Sequence, residues 1–207
     1  MIEEKNYLNK LINLDFDRET LYKRGIVDIN EHLETLKKYS SMCDHVTEMG
    51  TRFGISVYAL LSGNPTKVVS IDINYHFFKP YEKDVNLFAN EMGVEFEFIE
   101  SDVLKIDIEK TYMLFIDTLH TYNQLSKELR IHEKNVNKWI ILHDTVTFGH
   151  KDEFFYQNGE ISSEIKGEKV TKMGLYNALI DFIEENKNWK IKEHYDNNNG
   201  LTILERV

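Results

Sequence analysis

Seven short apolar runs punctuate the chain, and helical periodicities fill the gaps between them. The runs cover 45–50 (HVTEMG), 67–73 (KVVSIDI), 94–102 (VEFEFIESD), 112–117 (YMLFID), 139–144 (WIILHD), 189–196 (WKIKEHYD) and 200–207 (GLTILERV). The fourth and fifth are nearly continuous apolar blocks, as central strands of a parallel sheet buried on both faces require. The last two alternate in character around a turn at Asn199 and Gly200, which predicts an antiparallel hairpin. Helical spacing appears over 28–41 (Ile29, Leu33, Leu36) and over 54–62, just after Gly54. It continues over 76–92, where Phe77, Phe78, Tyr81, Val85, Phe88, Ala89 and Met92 precede Gly93, a helix-stop residue. Two more helices are predicted: 121–134, with Thr121 as N-cap, and 173–186, with Leu175, Leu179, Phe182 and Ile183 inward.

Strands alternating with helices of this length predict an α/β fold with a mostly parallel sheet and helices on both faces. Residues 1–40 read as an N-terminal helical segment for substrate or subunit contact, and 41–207 as the main domain. The stretch 145–172 has no period, but carries Phe148, Phe154, Phe155, Tyr156 and three glycines. A long aperiodic insertion of this kind is expected to cover a substrate, with a plain surface loop as the equal alternative.

Composition narrows the function. A chain of 207 residues with 42% apolar and 29% charged residues is an ordinary globular domain. Its net charge of −10 argues against nucleic-acid and anionic-membrane partners, both of which attract basic surfaces. No apolar run approaches the ~18 residues that span a bilayer, and the polar start MIEEKNYLNK is unlike a signal peptide. One cysteine, Cys43, excludes a disulfide framework and a cysteine zinc cluster. The expected compartment is a reducing cytoplasm.

The acids have a pattern. All five runs assigned to parallel strands end in or beside a carboxylate: Glu48, Asp72, Asp102, Asp117 and Asp144. Ligands of open α/β sheets bind outside the carboxyl ends of the strands, so these acids should converge on one crevice. Any one of them alone reads equally well as a turn or cap residue. The first turn runs Glu48-Met49-Gly50-Thr51-Arg52-Phe53-Gly54-Ile55-Ser56, an E-x-G-x-x-x-G pattern that departs from the pyrophosphate fingerprint G-x-G-x-x-G. Asp72 follows Gly50 by 22 residues, about the spacing at which an acid after the second strand meets a ribose. A cationic, ribose-bearing ligand without phosphate fits this combination, and S-adenosylmethionine (SAM) is such a molecule.

With VTEMGTRFGIS, VVSIDI, FIESD, LFIDTLHTY, WIILHDT, GLYNALIDFIEENKNW and NNNGLTILER in this order, the chain resembles class I SAM-dependent methyltransferases over about residues 28–206. It is most similar to the metal-dependent O-methyltransferase branch that includes cephalosporin-hydroxylase-like and macrolide or sugar O-methyltransferases. The resemblance implies a Rossmann-like seven-stranded sheet of order 3-2-1-4-5-7-6 with one antiparallel strand. It implies that Glu48, Met49, Gly50, Thr51, Gly54 and Ser56 surround the methionine part of SAM. Asp72 would take the ribose hydroxyls, and Ser101 and Asp102 the adenine edge. Asp117 would lie beside the cofactor and, with Asp144, bind a divalent metal such as Mg2+. His120 would be the general base. Where relatives carry two adjacent acid or acid-amide groups, this chain has His143-Asp144, so His143 becomes either a third metal ligand or a proton-handling neighbour. Imidazole favours softer metals than Mg2+, and a structural, hydrogen-bonded histidine is the ordinary alternative for both His120 and His143.

The expected activity is methyl transfer to a hydroxyl of a small molecule, a sugar or secondary metabolite, by a chain that the resemblance also allows to form a homo-oligomer. Three other functions compete. An NAD-dependent oxidoreductase would need the missing third glycine. A nucleic-acid amino-methyltransferase would show an acid-, Asn- or Ser-Pro-Pro-aromatic motif where this chain has Asp117-Thr118-Leu119-His120. A SAM-binding scaffold with a lapsed metal site is motivated by His143.

Overall fold

The central strands alternate their side chains between two covered faces, and this sets the architecture. In the strand Thr111–Ile116 (β4), Met113 and Phe115 enter one core while Leu114 and Ile116 enter the other. In Val136–His143 (β5), Trp139 and Ile141 divide from Ile140 and Leu142 in the same way. Such two-sided burial requires helices on both faces. The computed structural model describes residues 28–153, 156–157, 160–161 and 172–207. Most of the N-terminal segment and much of the predicted lid therefore lie outside the described residues.

The remaining strands are His45–Met49 (β1), Lys67–Asp72 (β2), Glu95–Glu100 (β3), Trp189–Tyr195 (β6) and Leu201–Arg206 (β7). They form a seven-stranded sheet of order 3-2-1-4-5-7-6, in which β7 is antiparallel to both neighbours. This is the predicted topology, including the terminal hairpin. A separate two-residue ribbon pairs Tyr156–Gln157 with Glu160–Ile161.

One core lies under Leu33–Ser40 (α1), Ile55–Ser62 (α2), Tyr75–Phe78 (α3) and Glu82–Met92 (α4). The other lies under Tyr122–His132 (α5) and Leu175–Glu185 (α6). A single helix was expected over 76–92; instead α3 and α4 are separate, with Lys79, Pro80 and Tyr81 between them. Proline lacks the amide proton that a helix interior needs, so the helix breaks there. The segment 28–41 starts as a 3-10 turn, Asn30–His32, before α1 begins. No helix among the described residues is long and apolar enough to cross a membrane.

Register aligns the strand ends. Met49 pairs with both Ile71 and Ile116, and Ile116 pairs with Leu142. Gly50 and Asp117 follow directly and leave the sheet, while Asp72 and His143 are the last residues of β2 and β5, so all four lie at one end of the sheet, where the chain reverses between β1 and β4.

Candidate functional site

Along that edge opens a cleft of about 780 Å³, within the range of small-molecule sites. Gly50 sits at its floor with φ +94°, and a Cβ there would lie 1.9 Å from the Asp117 carbonyl oxygen. Only glycine combines that backbone with so close an approach between the turns after β1 and β4. Gly54, at φ +72°, ends the same turn, and a Cβ on it would stand 3.0 Å from the Phe78 ring.

At one end of the cleft, Asp72 accepts hydrogen bonds from the amides of Arg52 (2.7 Å) and Asn74 (2.9 Å). This fixes its carboxylate beside Ser101 and Asp102, which also line the cleft. Asp102 accepts from the Leu104 amide at 3.0 Å and pairs with Lys105 at 2.8 Å. Lys105 holds it below the ordinary carboxylate range.

At the other end stands a cluster of three carboxylates and two imidazoles. His120 Nε2 is 2.9 Å from Asp144 Oδ2 and 3.3 Å from Asp117 Oδ1, while His120 Nδ1 donates to Glu153 at 2.7 Å. The Phe148 ring stacks on the imidazole at 4.8 Å, and the Glu153 amide donates to the His120 carbonyl. The ring is thus fixed in plane and in direction. Burial by itself would lower His120, but the hydrogen bonds to Asp117, Asp144 and Glu153 outweigh it and push it up to about 12. Asp117 is held well below the usual carboxylate range: burial opposes this, and His143 and His120 override it.

His143 lies behind the two aspartates. Its Nε2 donates to the Asn198 carbonyl at 3.1 Å, so Nδ1 faces Asp144 Oδ2 at 3.2 Å and Asp117 Oδ2 at 3.4 Å. Burial is again overridden, chiefly by the charge of Asp117, and His143 rises to about 10. Asp144 adopts φ +60°, which Asp tolerates better than most residues. Its Oδ1 is buried and has no partner among the described residues.

Gly50, Thr51, Ser56, Asp72, Ser101, Asp102, Asp117, His120 and Asp144 line this one cleft. Glu48, Met49, Gly54 and His143 do not. Met49 is buried in the core beneath α5 and α6. Glu48 is fully buried, accepting from the Ser56 and Ser70 hydroxyls, while Thr51 bonds Ser70 at 2.7 Å. Burial raises Glu48 to about 7. Asp117, His120 and Asp144 each offer one ligand atom within 4.8 Å of the others, a grouping that could hold a metal ion. The expected ligand set had His143 in place of His120, and His143 Nδ1 faces the same two carboxylates at 3.2 and 3.4 Å.

Sequence reasoning missed Glu153 and Asp152, and placed Phe148 only among the aromatics of a substrate cover. Asp152 Oδ1 receives the Tyr122 amide (2.9 Å) and the Gly174 amide (2.7 Å), tying the start of α5 to the start of α6. Asp152 and Glu153 line the cleft and Phe148 stacks on His120, so this part of the aperiodic stretch borders the site. No local signal marks Glu153, 33 residues from the imidazole it holds.

No protein-family model matches the chain, and no curated protein matches it in sequence. Solved structures do match in fold. A candidate caffeoyl-CoA O-methyltransferase from Staphylococcus aureus aligns over 99% of both chains, with TM-score 0.61 and 18% identity. An O-methyltransferase from Bacillus cereus, in complex with S-adenosylhomocysteine (SAH), aligns over 94% of this chain and 93% of its own, with TM-score 0.57 and 15% identity. The O-methyltransferase TomG from Streptomyces achromogenes, involved in tomaymycin synthesis and in complex with SAM, aligns over 86% and 80%, with TM-score 0.53 and 14% identity. The fold is that of these methyltransferases.

Proposed function

We propose that this chain is a SAM-dependent O-methyltransferase acting on a hydroxyl of a small molecule, assisted by a divalent cation. One observation carries the reading: a cleft of cofactor size ends in Asp72 on one side and in the Asp117, His120 and Asp144 group on the other. The methyltransferase fold and the SAM or SAH bound by two of the similar proteins support it.

In this reading the backbone at Gly50 lies along the methionine part of SAM, Asp72 receives the ribose hydroxyls, and Ser101 with Asp102 meets the adenine. SAM supplies an electrophilic methyl group on a sulfonium, which an acidic cleft favours over an anionic ligand. Asp117 and Asp144 fit a divalent cation, since they bring two carboxylates together beside His120 and Asp144 Oδ1 has no partner among the described residues. Such a cation supplies positive charge that eases the ionisation of an acceptor hydroxyl.

The chain's own groups do the rest. His120 receives the hydroxyl proton at Nε2, with Glu153 fixing the opposite nitrogen as N–H. It can do so only after losing its own proton, and Asp117 and Asp144 set that balance. Any positive charge on these carboxylates competes with the imidazolium for them. His143 supports both aspartates from behind.

A metal-free version of the same transfer is favoured by one contact. The 2.7 Å pair of His120 and Glu153 forms a histidine–carboxylate dyad suited to general-base catalysis without a cation.

Thermal denaturation with SAM or SAH, with and without Mg2+, tests the proposal. A rise in melting temperature with either nucleoside supports it, and no rise with both overturns it. A rise that ignores metal favours the dyad.

A further inference from the structure

Beneath the 117–120 turn lies a carboxyl that the proposed chemistry does not use. Glu128, on α5, has no exposed surface. Its Oε1 accepts from the Thr118 hydroxyl at 2.6 Å and from Gln124 Nε2 at 2.8 Å. Its Oε2 is buried with no hydrogen-bond partner among the described residues. Glu128 also lines a void of about 10 Å³, the room of one water, together with Asp117, Thr118, His120 and His143.

A buried glutamate is costly, and a helix gains nothing from one at an inward position that leucine would fill. What this glutamate does is reach across from α5 to the residue that follows Asp117. The upper side of that turn is already fixed: the Asp117 amide donates to the Met49 carbonyl, and Gly50 packs against the Asp117 carbonyl. The Thr118 hydroxyl supplies the lower fixing point. Between these two points Asp117 and His120 have little freedom to drift from Asp144, which is held separately at the end of β5.

We propose, on the methyltransferase reading above, that Glu128 is a positioning residue. Its acceptor oxygen tethers Thr118 and so holds Asp117 and His120 at the distance from Asp144 that the site requires. The tether needs a buried acceptor at this place, which glutamine also provides and methionine does not.

The test compares wild type with Thr118→Val, Glu128→Met and Glu128→Gln. Three readouts are taken: amide hydrogen exchange at Thr121 and Tyr122, Mn2+ affinity by electron paramagnetic resonance, and SAH affinity by calorimetry. Thr118→Val and Glu128→Met each remove this buried hydrogen bond and leave its other partner unpaired, so exchange at the two amides rises about tenfold. Mn2+ affinity falls by a similar factor, SAH affinity changes less, and Glu128→Gln stays near wild type. Unchanged exchange in Thr118→Val overturns the tether, and so does equal loss in Glu128→Gln. If wild type takes up neither Mn2+ nor SAH, the parent reading has failed, and the exchange pattern alone still decides the tether. Should Glu128→Met not fold, Thr118→Val and Glu128→Gln carry the comparison.

Discussion

Gly50→Ala isolates how closely the two central turns must approach. The new methyl carbon would stand 1.9 Å from the Asp117 carbonyl oxygen and 2.6 Å from its carbon, while contacts under 3.0 Å are essentially never adopted. The neighbours are backbone, so no rotamer change relieves the clash, and the ends of β1 and β4 must separate by about 1 Å, a misplacement that can cost on the order of a hundredfold in a precise site. Gly93 provides the control. It has a similar left-handed φ of +69°, but a Cβ there meets nothing within 4 Å. Gly93→Ala therefore costs only the conformational strain of about 1–2 kcal/mol, or roughly 2–8 °C in a domain of this size. Gly50→Ala carries the same strain plus the displacement. Its melting temperature should fall at least twice as far as that of Gly93→Ala, and its SAH affinity by about a hundredfold. Differential scanning fluorimetry and calorimetry read both effects. Equal melting shifts in the two variants, with SAH affinity intact in Gly50→Ala, would refute the reasoning.

Three further outcomes are expected. Burial raises Glu48 to about 7 in the folded chain, above the ordinary value of 4.5. The folded state then binds more protons between these values, so this contribution to stability is full below about pH 4.5 and lost as pH rises through about 7. Urea unfolding of Glu48→Gln should show a shallower decline over that window than wild type, and an equal decline counts against the assignment. Asp144→Asn keeps a residue that tolerates φ +60° but removes a charged ligand, so the fold should survive while Mn2+ uptake is lost. Undiminished uptake would remove Asp144 from the metal group. Asp152→Ala frees the Tyr122 and Gly174 amides together. Loss of such a cap costs about 1–2 kcal/mol, a drop of about 2–8 °C that thermal unfolding would detect.

Much of this was legible along the chain because burial on two faces imposes local patterns. The β1, β2 and α2 boundaries fall within a residue of the apolar runs that announced them, and β5 runs three residues further toward its start, to Val136. Since each run ended in an acid, the convergence of Asp72, Asp102, Asp117 and Asp144 on one cleft was readable too. The break at Pro80 was readable in principle, because proline's missing donor is a local property; the helical spacing on both sides masked it.

The site's inner arrangement was not. Glu48 turned under the sheet edge because Ser56 and Ser70 offered two hydroxyl donors there, from elements 8 and 22 residues away. His143 became the support behind Asp117 and Asp144 because the carbonyl of Asn198, 55 residues on, accepts a hydrogen bond from its Nε2. Glu153, Phe148 and Glu128 joined the site through contacts that no spacing announces. Strand and helix follow from the order of apolar and polar residues, since that order is itself the record of which faces are buried. The direction of a side chain at a strand end follows from loop dihedrals such as those of Gly50 and Asp144, and from whichever distant donor or acceptor lies within reach. Sequence alone therefore determined the sheet and the edge at which chemistry gathers, and the tertiary contacts decided which acids face the cleft and which imidazole faces them.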